Sequence, residues 1–318
     1  MKSIVNYEQA LKLLKAGKLV ALPTETVYGL AGRIDDEKAL KKIFQLKKRP
    51  FFDPLIVHCY DKKQALSYLS EKQPLIEKIF DEFTPGPLTL VAKKNNKISS
   101  LITAKKQTVA IRIPKHPLIK KILKQLAVPL AMPSANPYGK VSPVKSQHVL
   151  SSFKNQIPVL EGGFCQKGLE STILKIDFLK KKLLILRPGI ITKENLEKFL
   201  IKYQIGFKVK YKKDPFQPGG GTSHYKPDSA FYIIESEKTE KEIKSFISKK
   251  FPKKILKKLN LSLSSQKTAR EVYSQLRELS KNKKSIIYVQ KKSHQKSGLW
   301  DTIWNRLEKA SSGYFKFF

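Results

Sequence analysis

Two spacings of apolar residues organise the chain. Residues 36–46 place Ala39, Leu40, Ile43 and Phe44 at helical intervals and predict a helix. Lys47, Lys48 and Arg49 follow in a turn, and Pro50 and Pro54 bracket a rigid loop, because proline fixes φ and restricts the residue before it. The apolar run 55–57 then reads as a buried strand that delivers His58 at its end. Upstream, Asn6 and Gln9 have the spacing of a capping box, and Leu11, Leu13 and Leu14 give one apolar face before Gly17 ends the helix. Residues 19–22 read as the first buried strand, running into a hydroxyl-rich loop over residues 23–30.

The same patterns continue downstream. Helical stretches are predicted at 62–83, interrupted near Pro74, and at 117–125 and 195–203. Short strands are predicted at 88–92, 108–113, 128–131, 173–176 and 183–186. Residues 84–87 break the chain sharply, and residues 133–139 turn it with small polar groups beyond a strand end. Strands and helices mix without strict alternation, so the expectation is an α/β domain with a twisted mixed sheet over residues 1–205. Residues 206–228, with Pro215, Pro218 and Gly219 to Gly221, read as a linker. Strands at 230–234 and 285–289 and helices at 241–248, 269–279 and 302–310 then predict a small α/β domain over residues 229–318.

Composition changes this picture little. The chain of 318 residues is 41% hydrophobic, which supports an ordinary core. It shows no apolar run of bilayer length and no signal-like start, so the expected location is the cytoplasm. Charge is less ordinary, at a formal +37. Lysine pairs such as Lys41-Lys42, Lys93-Lys94 and Lys283-Lys284 are spread along the chain, which reads as a lysine-rich surface rather than a dedicated nucleic-acid face. Salt-sensitive, non-specific attraction to RNA follows from it.

Several chemistries are not suggested. Cys59 and Cys165 form no CxxC, and His58, His116, His148, His224 and His294 show no HxxxH spacing. No GxSxG elbow or Walker-type loop occurs. What remains is a set of cations (Lys47, Arg49, Arg112, Arg187) and hydroxyls (Thr24, Thr26, Ser134, Ser142, Ser171) at strand ends. That inventory suits positioning and charge stabilisation in phosphoryl or nucleotidyl transfer.

In order along the chain stand PTETVYGL at 23–30, KxR…PLIVH at 47–58, PGPLTLV at 85–91 and AIRIP at 110–114. PSAN at 133–136, GLESTI at 168–173 and LRPG at 186–189 complete the series. Together they resemble the threonylcarbamoyl-AMP synthase family, with its YrdC-like fold. His224-Tyr225 and the segments AREVYSQLREL and GLWDTIWNRLEKAS resemble the long form, which adds a linker and a small Rossmann-like domain. The resemblance implies that L-threonine, bicarbonate and ATP, with Mg²⁺, give threonylcarbamoyl-AMP and pyrophosphate for tRNA modification. It implies tRNA or a tRNA-modifying transferase as a partner, and no membrane. By the same resemblance, Thr26, His58, Arg112 and Ser171 hold threonine. Lys47, Arg49, Asp53, Thr108, Ser134, Asn136, Ser142 and Arg187 hold ATP, with Lys47 and Arg49 catalytic and Tyr225 closing over the nucleotide.

The sequence departs from the family's pattern in places. Lys48 stands where glycine is common, and Asp53 where asparagine is usual. An ionised Asp53 beside a triphosphate would be repulsive unless Lys48 or a metal offset it. The linker GGGTSHYKP lacks the usual basic run before HY, and the terminal domain is short. Two alternatives remain open at this level: an RNA-binding module of the same fold, and a carbamoyl-adenylating enzyme with another substrate. ATP and threonine binding without RNA would separate the first. The zinc-finger modules that normally accompany the second would need more than two cysteines.

Overall fold

Helices begin where a side chain can satisfy their orphaned backbone amides. A computed structural model describes residues 3–212 and 224–317. In it, Asn6 and Gln9 close a reciprocal capping box on the helix Tyr7–Lys15, and Asp36 caps Glu37–Lys47. Thr192 and Thr239 do the same for Lys193–Lys202 and Glu240–Lys250. The interrupted helical stretch resolves into Lys62–Leu66 and Pro74–Phe83, the second starting at its proline.

The chain divides into two units: Met1–Tyr138 with Ser142–Gly221, and Gly139–Val141 with Thr222–Phe318. Among the described residues the first holds a mixed sheet of 11 strands. Their spatial order is Ile4–Val5, Val159–Leu160, Val20–Leu22, Gly29–Arg33, Leu130–Ala131, Ile56–His58, Thr108–Arg112, Leu88–Lys93, Thr172–Asp177, Lys182–Arg187 and Lys208–Tyr211. Helices Tyr7–Lys15 and Pro117–Leu126 cover one region of it, burying Leu14, Val20, Leu22, Ile119, Ile122 and Leu123 completely. Each such side chain contributes about 1.5–3 kcal/mol by leaving water.

Three strands of this sheet show how it differs from the pattern's prediction. The hydroxyl-rich loop ends at Tyr28, because Gly29–Arg33 turns back antiparallel on Val20–Leu22, with Leu22 opposite Gly29. Two glycines in five residues hid this strand. Ile4–Val5 precedes the strand expected to be first and pairs with Val159–Leu160. Lys208–Tyr211, assigned by sequence to the linker, is an edge strand parallel to Lys182–Arg187; its alternating lysines face solvent and resemble linker composition. The linker glycines Gly219 to Gly221 lie outside the described residues.

In the second unit, Leu256–Lys258, Ile286–Lys291, Ala230–Glu235 and Gly313–Lys316 form an all-parallel sheet in that order. Helices Glu240–Lys250, Ser265–Leu279 and Leu299–Ala310 connect them. Leu256–Lys258 and Gly313–Lys316 are short and half-exposed, and their apolar signal is correspondingly weak.

Candidate active site

The first unit brings the candidate residues together at strand ends, on two adjoining walls. One wall is built around Arg112, the last residue of Thr108–Arg112. Its Nη2 donates to Glu25 Oε1 at 2.7 Å and its Nε to Gly86 O at 3.3 Å. Glu25 Oε2 accepts from Lys115 N at 3.1 Å, so one buried carboxylate fixes both the arginine and the chain beyond it. Parallel pairing puts His58 level with Arg112, and antiparallel pairing puts Thr89 opposite it. Thr89 Oγ1 and Ser171 Oγ lie 2.7 Å apart, both buried.

His58 is neutral in this setting. Burial, reinforced by the Arg112 charge, brings its pKa down to about 3, while Nδ1 lies 3.2 Å from Ile56 O. Thr24 organises the loop at 23–28: its Oγ1 donates to Val27 O at 2.7 Å, accepts from Thr26 N at 3.1 Å, and lies 2.8 Å from Thr26 Oγ1. Thr26 is fully buried beside it.

Arg187 joins this wall to the next. Its Nη2 donates to Ser171 O at 2.8 Å and to Ser171 Oγ at 3.0 Å. The approach requires Gly189, since a Cβ there would collide with the backbone of Ser171 and Thr172. The charge of Arg187 also reaches Asp53.

The second wall begins at the helix end. Lys47 Nζ donates to the backbone carbonyls of Ser134 at 2.6 Å and Asn136 at 2.5 Å. Burial and the neighbouring Arg49 hold its pKa well below the usual lysine value, against the pull of Asp53. Ser134 and Asn136 thus meet Lys47 through backbone oxygens, and Asn136 Nδ2 turns to Pro137 O at 2.9 Å. Lys48 closes the helix in the left-handed region, at φ 51°. This is the conformation for which glycine is the usual residue, so Lys48 adopts it against the preference of an L side chain. Arg49 then curls into its own loop. Its Nε donates to Asp53 O at 3.0 Å, its Nη2 donates to Pro54 O at 2.7 Å, and it lies near the Tyr138 ring.

Other expected residues sit further along these walls. Ser142 Oγ donates to Glu170 Oε1 at 2.6 Å. Thr108 opens the strand that Arg112 ends, about 13 Å away along it. Tyr225 belongs to the second unit, where its buried ring stacks 5.7 Å from Tyr273 and lies 5.1 Å from the Arg306 guanidinium. Glu25, Glu170, Thr89 and Tyr138 were missed as site residues. Two of these acids lie within the quoted motifs, PTETVYGL and GLESTI, but the inventory counted only cations and hydroxyls. A carboxylate inside an apolar-flanked motif was the available signal, since buried acids need partners.

A mixed α/β fold with a cation- and hydroxyl-lined site at its strand ends defines an enzyme acting on small anionic substrates. Residues 12–189 match the family model described as "Telomere recombination", and residues 191–312 match "Threonylcarbamoyl-AMP synthase, C-terminal domain". A threonylcarbamoyl-AMP synthase of Pyrococcus abyssi is 34% identical over 320 residues, covering 95% of this chain and 92% of the relative. One from Bacillus subtilis is 33% identical, covering 96% and 92%. The crystal structure of P. abyssi Sua5 complexed with L-threonine superposes with a TM-score of 0.88 at 30% identity, covering 99% of each chain. The chain belongs to the threonylcarbamoyl-AMP synthase family, in its long form with a C-terminal domain, and is an enzyme of nucleotidyltransferase type.

Proposed function

We propose that the enzyme forms threonylcarbamoyl-AMP and pyrophosphate from L-threonine, bicarbonate and ATP, for tRNA modification in the cytoplasm. The observation that carries this reading is the adjacency of the two walls through Arg187, which sets the Arg112 and Ser171 groups beside a bank of cations. Threonine's carboxylate is taken by Arg112, whose charge Glu25 orients, and its hydroxyl and amine are placed among Thr26, Ser171 and His58. Neutral His58 leaves the amine uncompeted by a second fixed cation beside Arg112.

Threonine's amine and bicarbonate give a carbamate and water. A carbamate oxygen then bonds to the α-phosphorus, the bond to the β-phosphate oxygen breaks, and pyrophosphate leaves with the electron pair. Arg49, Lys47 and Arg187 stabilise the charge on the departing group, an electrostatic contribution that needs no protein nucleophile. Thr108, Ser134, Asn136 and Ser142 frame the nucleotide beside them. Among the described residues no group of three or more acid, histidine or cysteine side chains is placed to hold a metal. Mg²⁺ would be held by phosphate oxygens of the nucleotide. Among the described residues no helix is long and apolar enough to cross a membrane. tRNA, or a transferase acting on it, is the proposed recipient of the product.

Purified protein given ATP, bicarbonate and Mg²⁺ is expected to release pyrophosphate when L-threonine is supplied and far less with L-serine. Equal release with both amino acids, or none with threonine, would remove the reading.

A further inference from the structure

The site contains two buried acid–arginine pairs, and they are built differently. Glu25 accepts aligned hydrogen bonds from Arg112 and from Lys115 N, so it is locked in place. Asp53 is equally buried, at 3% exposed, and Arg49 Nη2 lies 2.8 Å from its Oδ1. Yet neither Asp53 oxygen has an aligned hydrogen-bond donor. The Arg49 guanidinium and the Tyr138 hydroxyl lie beside the carboxylate and favour its charged form, with the charge of Arg49 the larger influence.

Charged and titratable groups face Asp53 from three elements. Lys47 and Arg49 come from the end of Glu37–Lys47 and its loop, Tyr138 from the turn at 133–138, and Arg187 from Lys182–Arg187. The cations on which the proposed reaction depends are thus already partly neutralised by a side chain of the protein. A triphosphate offers these cations more charge and more oxygens than one carboxylate does, and can replace it. Burial pushes the Asp53 carboxyl up from its ordinary value, against Arg49, Lys47 and Arg187, so neutralising it costs less than for an exposed aspartate.

We infer that Asp53 is an exchangeable counter-anion: it occupies Arg49 until a polyphosphate takes its place, and so sets how tightly the enzyme holds phosphate chains. In this role Asp53 is a positioning residue, acting through Arg49. The inference rests on the nucleotide reading above.

Isothermal titration of the full chain with ATP and with inorganic tripolyphosphate tests it. In Asp53→Asn both dissociation constants are expected to fall about tenfold, the scale of one partly screened unit charge, with threonine affinity unchanged. The gap between parent and variant should narrow as pH is lowered, because protonation neutralises the parent's carboxylate while phosphate titration affects both proteins alike. A purely structural aspartate would produce neither the equal gain for both probes nor that convergence. Should Asp53→Asn fail to fold, Asp53→Ser carries the same expectation. Equal or weaker tripolyphosphate binding in the variants overturns the exchange and leaves the nucleotide reading standing. Failure of the folded parent to bind either probe removes both.

Discussion

Replacing Glu25 by alanine removes the only carboxylate described on Arg112. The pair is 2.7 Å long, with both side chains about 5% exposed or less, so solvent cannot take over the charge. What stays on the guanidinium is the 3.3 Å contact to Gly86 O, and Lys115 N loses its acceptor. An arginine left buried without its partner typically costs about 3–5 kcal/mol. Glu25→Gln keeps an acceptor for one donor while losing the charge, and about 1–3 kcal/mol is expected for it. The two tryptophans, Trp300 and Trp304, both lie in the second unit. Tryptophan fluorescence during urea unfolding therefore reports that unit, and amide exchange along Thr108–Arg112 reports the first. The variant should lower protection in the strand by the stated amounts. A loss below about 1 kcal/mol for Glu25→Ala, the scale of an exposed pair, would show that Glu25 does not hold Arg112.

Two further outcomes follow from the site. Lys48→Gly relieves a left-handed conformation and should raise the first unit's stability by about 0.5–1 kcal/mol after the added chain entropy, read as a higher denaturation midpoint; a lower midpoint would mean the Lys48 side chain contributes a contact of its own. His58 has a folded-state pKa depressed to about 3, so the unfolded chain binds the proton first. Its contribution is complete above about pH 6.5 and is lost as pH falls toward 3, at up to about 1.4 kcal/mol per pH unit. His58→Gln should flatten the parent's decline in urea midpoint between those limits, and an unchanged slope would contradict a neutral buried imidazole.

Legibility followed burial. Long amphipathic stretches such as Pro117–Leu126 and Ser265–Leu279 announced themselves, because one apolar face must repeat every three to four residues. Gly29–Arg33 did not, since glycines carry no hydropathy signal and its partner strand supplies the context. Leu256–Lys258 is too short and too charged to be told from a loop. At the site, Arg112 and Arg187 were visible as cations at strand ends. That Ser134 and Asn136 would meet Lys47 through backbone oxygens was not, because side-chain identity says nothing about where a carbonyl points. Glu25 escaped because its role is to face another protein group, and that pairing spans 87 residues of sequence.

The cysteines extend the reach of these experiments. Cys59 and Cys165 are buried in the first unit, with backbone amides bonded to Arg112 O and Val144 O, each at 2.9 Å. Burial pushes both thiols up, Cys165 to about 12, so little thiolate exists near neutral pH. Towards an alkylating reagent the native protein should behave as if it had no cysteine, and modification must wait for the fold to open. Cys59 follows directly on His58 and its amide bonds to Arg112 O, so its alkylation rate is a clock for opening of the wall around Arg112. A single new cysteine on the surface could carry a probe without competition from either native thiol.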